Sequence, residues 1–403
     1  MNADPPPQGT PPGGALSHLK VLDLSRVLAG PWASQMLADL GAEVIKVEHP
    51  ERGDDTRGWG PPYLRDAEGG DVESAYFLCA NRNKKSVALD LATPEGQRQI
   101  RALAVQSDVL IENFKVGGLA KYGLDYGSLQ ALNPRLIYCS ITGFGQTGPY
   151  AQRPGYDFMV QGMGGLMSLT GVPDGEDGAG PMKVGVALTD VLTGLHAVAG
   201  ILAAVAWRDQ SGEGQHIDLA LLDVQVSCLA NQAQNYLVTG QPPRRQGNAH
   251  PSIVPYQSFP TADGEMILAV GNDSQFAAFC RVAGHPEWAA DRRFVTNAGR
   301  VEHRASLVPL LRQATVQNAT ADWIVLLEAA NVPCGPINTL EQVFADPHVV
   351  ARGLRIDIPH PVTGTAPAVA SPLRLSKTPV QYRHAAPALG AHTEQVLQRT
   401  QIT

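Results

Sequence analysis

Within residues 183–207, KVGVALTDVLTGLHAVAGILAAVAW, one acid interrupts an otherwise apolar run, and that acid is Asp190. Thr189 reads as an N-cap, and residues 191–207 are almost all apolar or small, which predicts a buried helix with Asp190 in its first turn. Two chemistries fit a carboxylate there. A helix N-terminus carries about half a positive charge and stabilises an acid by roughly 0.3–1 kcal/mol, a purely structural use. The same dipole can hold a partly desolvated carboxylate ionised and aim it as a nucleophile. The segment alone leaves both open. Two other groups of residues suit an anionic substrate. Arg82, Lys84 and Lys85 precede a predicted strand at 87–91, as a solvated guard of a strand edge or a clamp for phosphates. The glycine-rich GMGG at 162–165 offers backbone N–H groups to an oxyanion.

Other chemistries find no support. The loop SRVLAGP places Gly30 at a helix start but lacks GxGxxG, so the dinucleotide fingerprint fails even though Glu48 falls near the ribose position. Cys79, Cys139, Cys228, Cys280 and Cys334 are odd in number and spread out, with no CxxC pair and no spacing suited to zinc. They point to a reducing, cytoplasmic setting and no metal. With 31 Lys+Arg against 38 Asp+Glu the net charge is −7, so no global basic field advertises nucleic acid or an anionic membrane. An anionic ligand must be met by a local cluster.

The elements that must position these groups follow from periodicity. The 403 residues, 44% hydrophobic and 17% charged, suffice for a large domain and a smaller one. Residues 1–17 carry no lysine or arginine and are rich in Pro and Gly, which predicts a disordered tail rather than a targeting signal. Strands are expected at 20–24, 43–47, 87–91, 108–112, 136–141 and 216–219, alternating with helices that include 31–40 and one opened by Thr93-Pro94-Glu95. Such alternation predicts a mostly parallel, doubly wound sheet. A helix is expected at 221–238. The aperiodic segment GQPPRRQGNAHPSIVPYQ marks a boundary, after which MILAVG, FAAFCRVAG and two amphipathic helices suggest a smaller α+β domain, and a last helix falls at 393–399. The apolar run 191–207 is about one turn short of a comfortable bilayer span and contains His196, so it reads as a core helix.

Taken in order, RVLAGPWASQMLADLGAEVIKVE, NRNKKSVALDL, LIENF, IYCSITGFGQTGPY, RPGYD, VGVALTD, VPCGPIN and ALGAHT resemble the blocks of the class III CoA-transferases, over roughly residues 16–398. The resemblance implies a Rossmann-like large domain built from both ends of the chain (18–225 and 336–403), a small domain (226–335), and ring-shaped protomers interlocked in a homodimer. It makes Asp190 the nucleophile that forms an aspartyl-CoA intermediate. Coenzyme A enters as an acyl-CoA substrate, and no tightly bound cofactor is needed. The CoA contacts it implies are Leu28, Ala29, His49, Leu89, Ala92, Asn113, Phe114, Lys115, Lys121, Arg153 and Tyr156.

For the acceptor, the resemblance implies a dicarboxylic acid such as glutarate, taking CoA from a donor such as succinyl-CoA. Itaconate, mesaconate, malate and hydroxymethylglutarate are alternatives. Tyr156, His250, Ser252 and Tyr256 are the candidates to meet the acyl group or a distal carboxylate. The same fold serves 2-methylacyl-CoA racemases, which place a histidine base where this chain has Tyr156; a phenol with a pKa of about 10 is a poor base near pH 7. A non-catalytic CoA-binding protein is the other alternative, and has no use for a desolvated acid.

Overall fold

The computed structural model describes residues 13–399. Six strands, β1 (Lys20–Asp23), β2 (Glu43–Glu48), β3 (Lys84–Ala88), β4 (Val109–Glu112), β5 (Ile137–Thr142) and β6 (His216–Ala220), form one sheet. Every pairing is parallel and the order is β3-β2-β1-β4-β5-β6. Strands buried on both faces read as continuous apolar runs, and alternation sends successive side chains to opposite layers. Val21, Val44, Val109, Ile137 and Cys139 join one core, while Leu22, Val47, Val87, Leu110 and Tyr138 join the other. The chain moves outward from β1 through β2 and β3, then returns to β1's other side as β4. This leaves a topological switch point between β1 and β4.

The helices that matter most are α1 (Ala29–Asp39), α2 (Pro94–Val105), α3 (Asp157–Met163), α4 (Leu188–Ser211) and α5 (Leu221–Ser227). In α1, Pro31 occupies the first turn, where its missing N–H is no loss. In α2, the Thr93 hydroxyl accepts the Gly96 N–H as a cap, as its sequence predicts. The residues of α4 at 189, 193, 197, 201 and 205 are buried, one face at helical spacing packed on the sheet and on α1. Its 24 residues make it longer than the apolar run suggested, and by length and composition it could cross a membrane. Gly212, with φ +81, ends it. The single helix expected at 221–238 is instead α5 and a second helix, Ala230–Thr239; Ala230 has φ +47, a left-handed conformation that interrupts the turn.

The C-terminal segment closes the open edge of β3. Asn83 N–H donates to His384 O, His392 N–H to Ser86 O and Ala88 N–H to Thr393 Oγ1, and Val396 is buried against the Val47–Val87 layer. An edge strand so covered cannot recruit another chain.

The described residues divide into two compact units, one of 13–166, 183–241 and 348–399, the other of 167–182 and 242–347. These breaks stand at 242 and 347, against the expected 226 and 335, and the second unit also takes the strap 167–182. Of the expected tail, 1–12 lie outside the described residues; Leu16 N–H already donates to Leu40 O at 2.9 Å and its side chain packs on the sheet core. The second unit contains antiparallel strands β7 (Tyr256–Pro260), β8 (Glu265–Ala269) and β9 (Cys334–Pro336), in the order β7-β8-β9. Phe259, Met266, Phe276, Phe279 and Trp323 lie in its own core.

Candidate active site

The loops that follow β1 and β4 part at the switch point, and a cavity of about 460 Å³ opens there. Its wall takes Leu28 and Ala29 from the first loop, Asn113, Phe114 and Lys115 from the second, and Lys121 from the turn beyond. Arg153 and Tyr156 come from the segment after β5, and Asp190 from the head of α4. These residues, scattered over more than 160 positions, meet because parallel strands deliver all their C-terminal loops to one edge.

The environment of Asp190 differs from the sequence expectation. Helix α4 starts at Leu188 with Ala187 as N-cap and no side-chain cap. Thr189 lies inside the helix, where its hydroxyl donates to Gln225 Oε1 at 2.7 Å. The capping role falls to Asp157 of α3, whose Oδ1 accepts the Thr189 N–H at 2.8 Å and the Asp190 N–H at 3.3 Å. Gln161 Nε2 donates to the other oxygen of Asp157 at 2.7 Å. An acid from a neighbouring helix therefore satisfies amides that α4 cannot satisfy itself. Asp190's own carboxyl is half-buried, and burial, then the like charge of Asp157, raise its pKa to about 7. It titrates near neutrality, whereas the nucleophile reading has it largely ionised there.

Around the same cavity stand Arg26, Lys115, Lys121 and Arg153, against the acids Asp55 and Asp190. Arg26 reaches Asp55 at 2.7 Å in an exposed pair. The Arg153 guanidinium lies 4.6 Å from the Tyr150 ring centre, and Lys121 Nζ lies 4.7 Å from that of Tyr122. These cations form a local basic cluster on a chain that is acidic as a whole. Asn113 is committed to the first loop: its Oδ1 accepts the Arg26 N–H at 2.9 Å and its Nδ2 donates to Arg26 O at 2.7 Å. Tyr156 is 65% exposed at the cavity wall.

Other expected residues lie elsewhere. His49 is half-buried, with Nδ1 accepting the Glu51 N–H at 3.2 Å; Leu89 is buried, its N–H donating to Glu48 O; Ala92 is exposed. None of the three lines the cavity. None of the basic trio lines the cavity, and only Lys85 stays partly exposed at the sheet edge. Arg82 grips the buried Asp39 through two nitrogens, Lys84 is fully buried against Asp23 at 3.1 Å, and Lys85 pairs with Glu43. The Gly164 and Gly165 amides donate to Val160 O and Gly162 O, so they do not form the oxyanion site expected of GMGG. His250, Ser252 and Tyr256 belong to the second unit, where Ser252 N–H donates to His250 Nδ1 at 3.1 Å and the His250 and Tyr256 rings lie 5.3 Å apart. Asp157 and Gln225 went unread in the sequence. Asp157 stands in the block RPGYD, yet nothing local reveals that it caps a helix 31 residues later. Among the described residues, no three His, Cys, Asp or Glu side chains come together as a metal site requires.

Residues 16–393 match the family described as CoA-transferase family III. The chain is 54% identical to the succinate–glutarate CoA-transferase of Agrobacterium fabrum, over 97% of this chain and 96% of that protein. It is 44% identical to human succinyl-CoA:glutarate CoA-transferase, over 95% of this chain and 85% of the human one. Among solved structures it resembles a CAIB/BAIF family protein from Brucella suis, with a TM-score of 0.86 and 50% identity over 96% of this chain and 100% of that one. The chain belongs to CoA-transferase family III, and it is an enzyme that transfers CoA.

Proposed function

We propose that this enzyme moves CoA from succinyl-CoA to glutarate, with Asp190 as the nucleophile and an aspartyl-CoA thioester as the intermediate. The observation that carries the assignment is a single half-buried carboxyl, raised to about 7, at the wall of a cavity that also holds Lys115, Lys121 and Arg153. The substrates follow the names of the two relatives, both called glutarate CoA-transferases.

The steps balance without metal, ATP or redox cofactor. Ionised Asp190 attacks the succinyl thioester carbonyl, giving an aspartyl–succinyl anhydride and CoA thiolate. The thiolate attacks the aspartyl carbonyl and releases succinate, leaving aspartyl-CoA. Glutarate then attacks that thioester to form an aspartyl–glutaryl anhydride and thiolate, and thiolate attack on the glutaryl carbonyl yields glutaryl-CoA and free Asp190. Partial desolvation makes the carboxylate a better nucleophile once it is ionised. The head of α1, which no side chain caps, reaches the cavity wall at Ala29, where the helix dipole favours developing negative charge. Phosphates of CoA meet the cations, and Leu28, Ala29 and Phe114 pack against its apolar parts.

The chain also acts as a homodimer of interlocked, ring-shaped protomers in a cytoplasmic setting. Exposed Leu237 and Val238 on the helix Ala230–Thr239, with Trp207 on α4, are apolar surface suited to a partner copy. Light scattering at micromolar concentration should return twice the chain mass. The chemistry is tested by incubating the protein with succinyl-CoA and glutarate and following glutaryl-CoA by mass spectrometry. Asp190→Ala should lower turnover at least a thousandfold; transfer at the parent's rate would remove Asp190 from the mechanism.

A further inference from the structure

Val27 lines the cavity with φ +71, in the left-handed region that a β-branched side chain rarely adopts. The other non-glycine residues with positive φ among those described are Asn83, Ala230 and Asn331, none of them β-branched. Strained backbone persists only where its surroundings over-determine it. Here the restraints can be traced. The Val27 N–H donates to Asp54 Oδ1 at 3.2 Å. Asp54 is 1% exposed and its other oxygen lies 2.9 Å from Lys46 Nζ, a group with no exposure at all. Lys46 in turn donates to Ser25 O at 2.8 Å, two residues before Val27. Between them, Asn113 holds both the N–H and the carbonyl of Arg26. Residues 25, 26 and 27 are thus fastened one after another by side chains from three other parts of the chain, and the loop they hold delivers Leu28 and Ala29 to the cavity wall.

Asp54 does not itself line the cavity. The Asp54 N–H donates to Glu48 Oε2 at 3.0 Å, and its Oδ1 also accepts from the Thr56 N–H and hydroxyl, so its position is set from behind. Burial opposes its charge, but Lys46 and the Thr56 bonds hold its carboxyl below the usual carboxylate range.

We infer that Asp54, through its hydrogen bond to Val27 and its buried pair with Lys46, is a positioning residue that locks the left-handed Val27 turn and so preorganises the cavity wall for coenzyme A. This rests on the CoA-transfer reading only in naming the ligand. Preorganisation lowers the ordering that binding must otherwise supply, so its loss should appear in affinity for CoA before it appears in turnover at saturation.

The test is CoA affinity by titration calorimetry, together with KM and kcat for acyl-CoA. Asp54→Asn should weaken CoA binding and raise KM about tenfold while kcat changes less than about threefold. Glycine adopts a left-handed turn without strain, so Asp54→Asn combined with Val27→Gly should bind CoA more tightly than Asp54→Asn alone. Unchanged affinity in Asp54→Asn, or a double variant no better than the single one, overturns the inference. Should Asp54→Asn fail to fold because Lys46 is left unpaired, Val27→Pro carries the test with the buried pair intact. It removes the N–H and forces φ near −65°, and should weaken CoA binding at least tenfold; parental affinity in that variant also refutes the role. Calorimetry needs no transfer, so a parent that binds CoA but makes no glutaryl-CoA from succinyl-CoA and glutarate sinks the proposed function and leaves this inference to be judged on affinity.

Discussion

In the proposed reaction, Asp190 concentrates the chemistry and the instability of the site in one side chain. Its pKa, raised by burial and by Asp157, implies that the ionised form, which the proposed attack requires, becomes dominant only as pH rises past about 7. The acidic limb of kcat/KM is therefore expected near pH 7. Asp157→Asn keeps an oxygen to accept the Thr189 and Asp190 amides but removes the like charge, so the limb should move to lower pH, without reaching the ordinary carboxylate value because burial remains. A pH–rate profile of that variant checks the direction. The same shift acts on stability. The folded state keeps a proton on Asp190 that the unfolded state releases at pH above about 3.8, so this group's contribution is most favourable below that value and is lost as pH rises through 7. Asp190→Asn should accordingly stabilise the protein by on the order of 2 kcal/mol at pH 8, a gain that shrinks as pH falls toward 4. Denaturant titrations at the two pH values measure it.

At the scale of elements, the site depends on how closely α4 lies against α1. Gly194 makes that approach possible: a Cβ there would sit 2.9 Å from Ala29 O and 3.0 Å from the Trp32 ring. Alanine would add helix propensity of about 1 kcal/mol, but the nearest obstacle is backbone and cannot rotate away. Gly194→Val is therefore expected to destabilise the fold by about 1–3 kcal/mol, seen in thermal unfolding. Because Ala29 lines the cavity, it should weaken CoA binding as well. α1 and α2 were both legible from their prolines and the Thr93 cap. The break between α5 and the helix at Ala230–Thr239 was not, because no Gly or Pro marks it; Ala230 takes its left-handed turn through tertiary context.

Across the whole molecule, the two ends of the chain meet in one unit. The C-terminal segment packs on the sheet that the N-terminal segment begins, covering the edge of β3 and burying Val396. A chain ending at residue 388 loses that side chain and the bonds to Ser86 and Ala88. A loss of about 3 kcal/mol is expected from one buried valine and two net hydrogen bonds. The exposed edge should also make the truncated protein aggregate on heating, which scattering during a thermal ramp would report.

The sequence by itself determined the class of fold. Six apolar runs alternating with helices leave few solutions other than a parallel sheet wound on both faces. It also singled out Asp190, since an acid in an apolar run stands out in one dimension. Most of the cavity residues came from the resemblance of whole blocks, each unremarkable alone. Only the tertiary structure decided the state of that acid and the scaffold behind it. Asp157 and Asp190 lie 33 positions apart, and the pKa of one depends on the burial and charge that packing brings to it. Arg82, Lys84 and Lys85 read as an edge guard or a phosphate clamp because their partners Asp39, Asp23 and Glu43 lie more than 40 residues away; the fold places Lys84 among the best-buried side chains. The left-handed Val27 was the least legible of all. Local propensity argues against that conformation, and a chain of contacts through Asp54 and Lys46 overrules it.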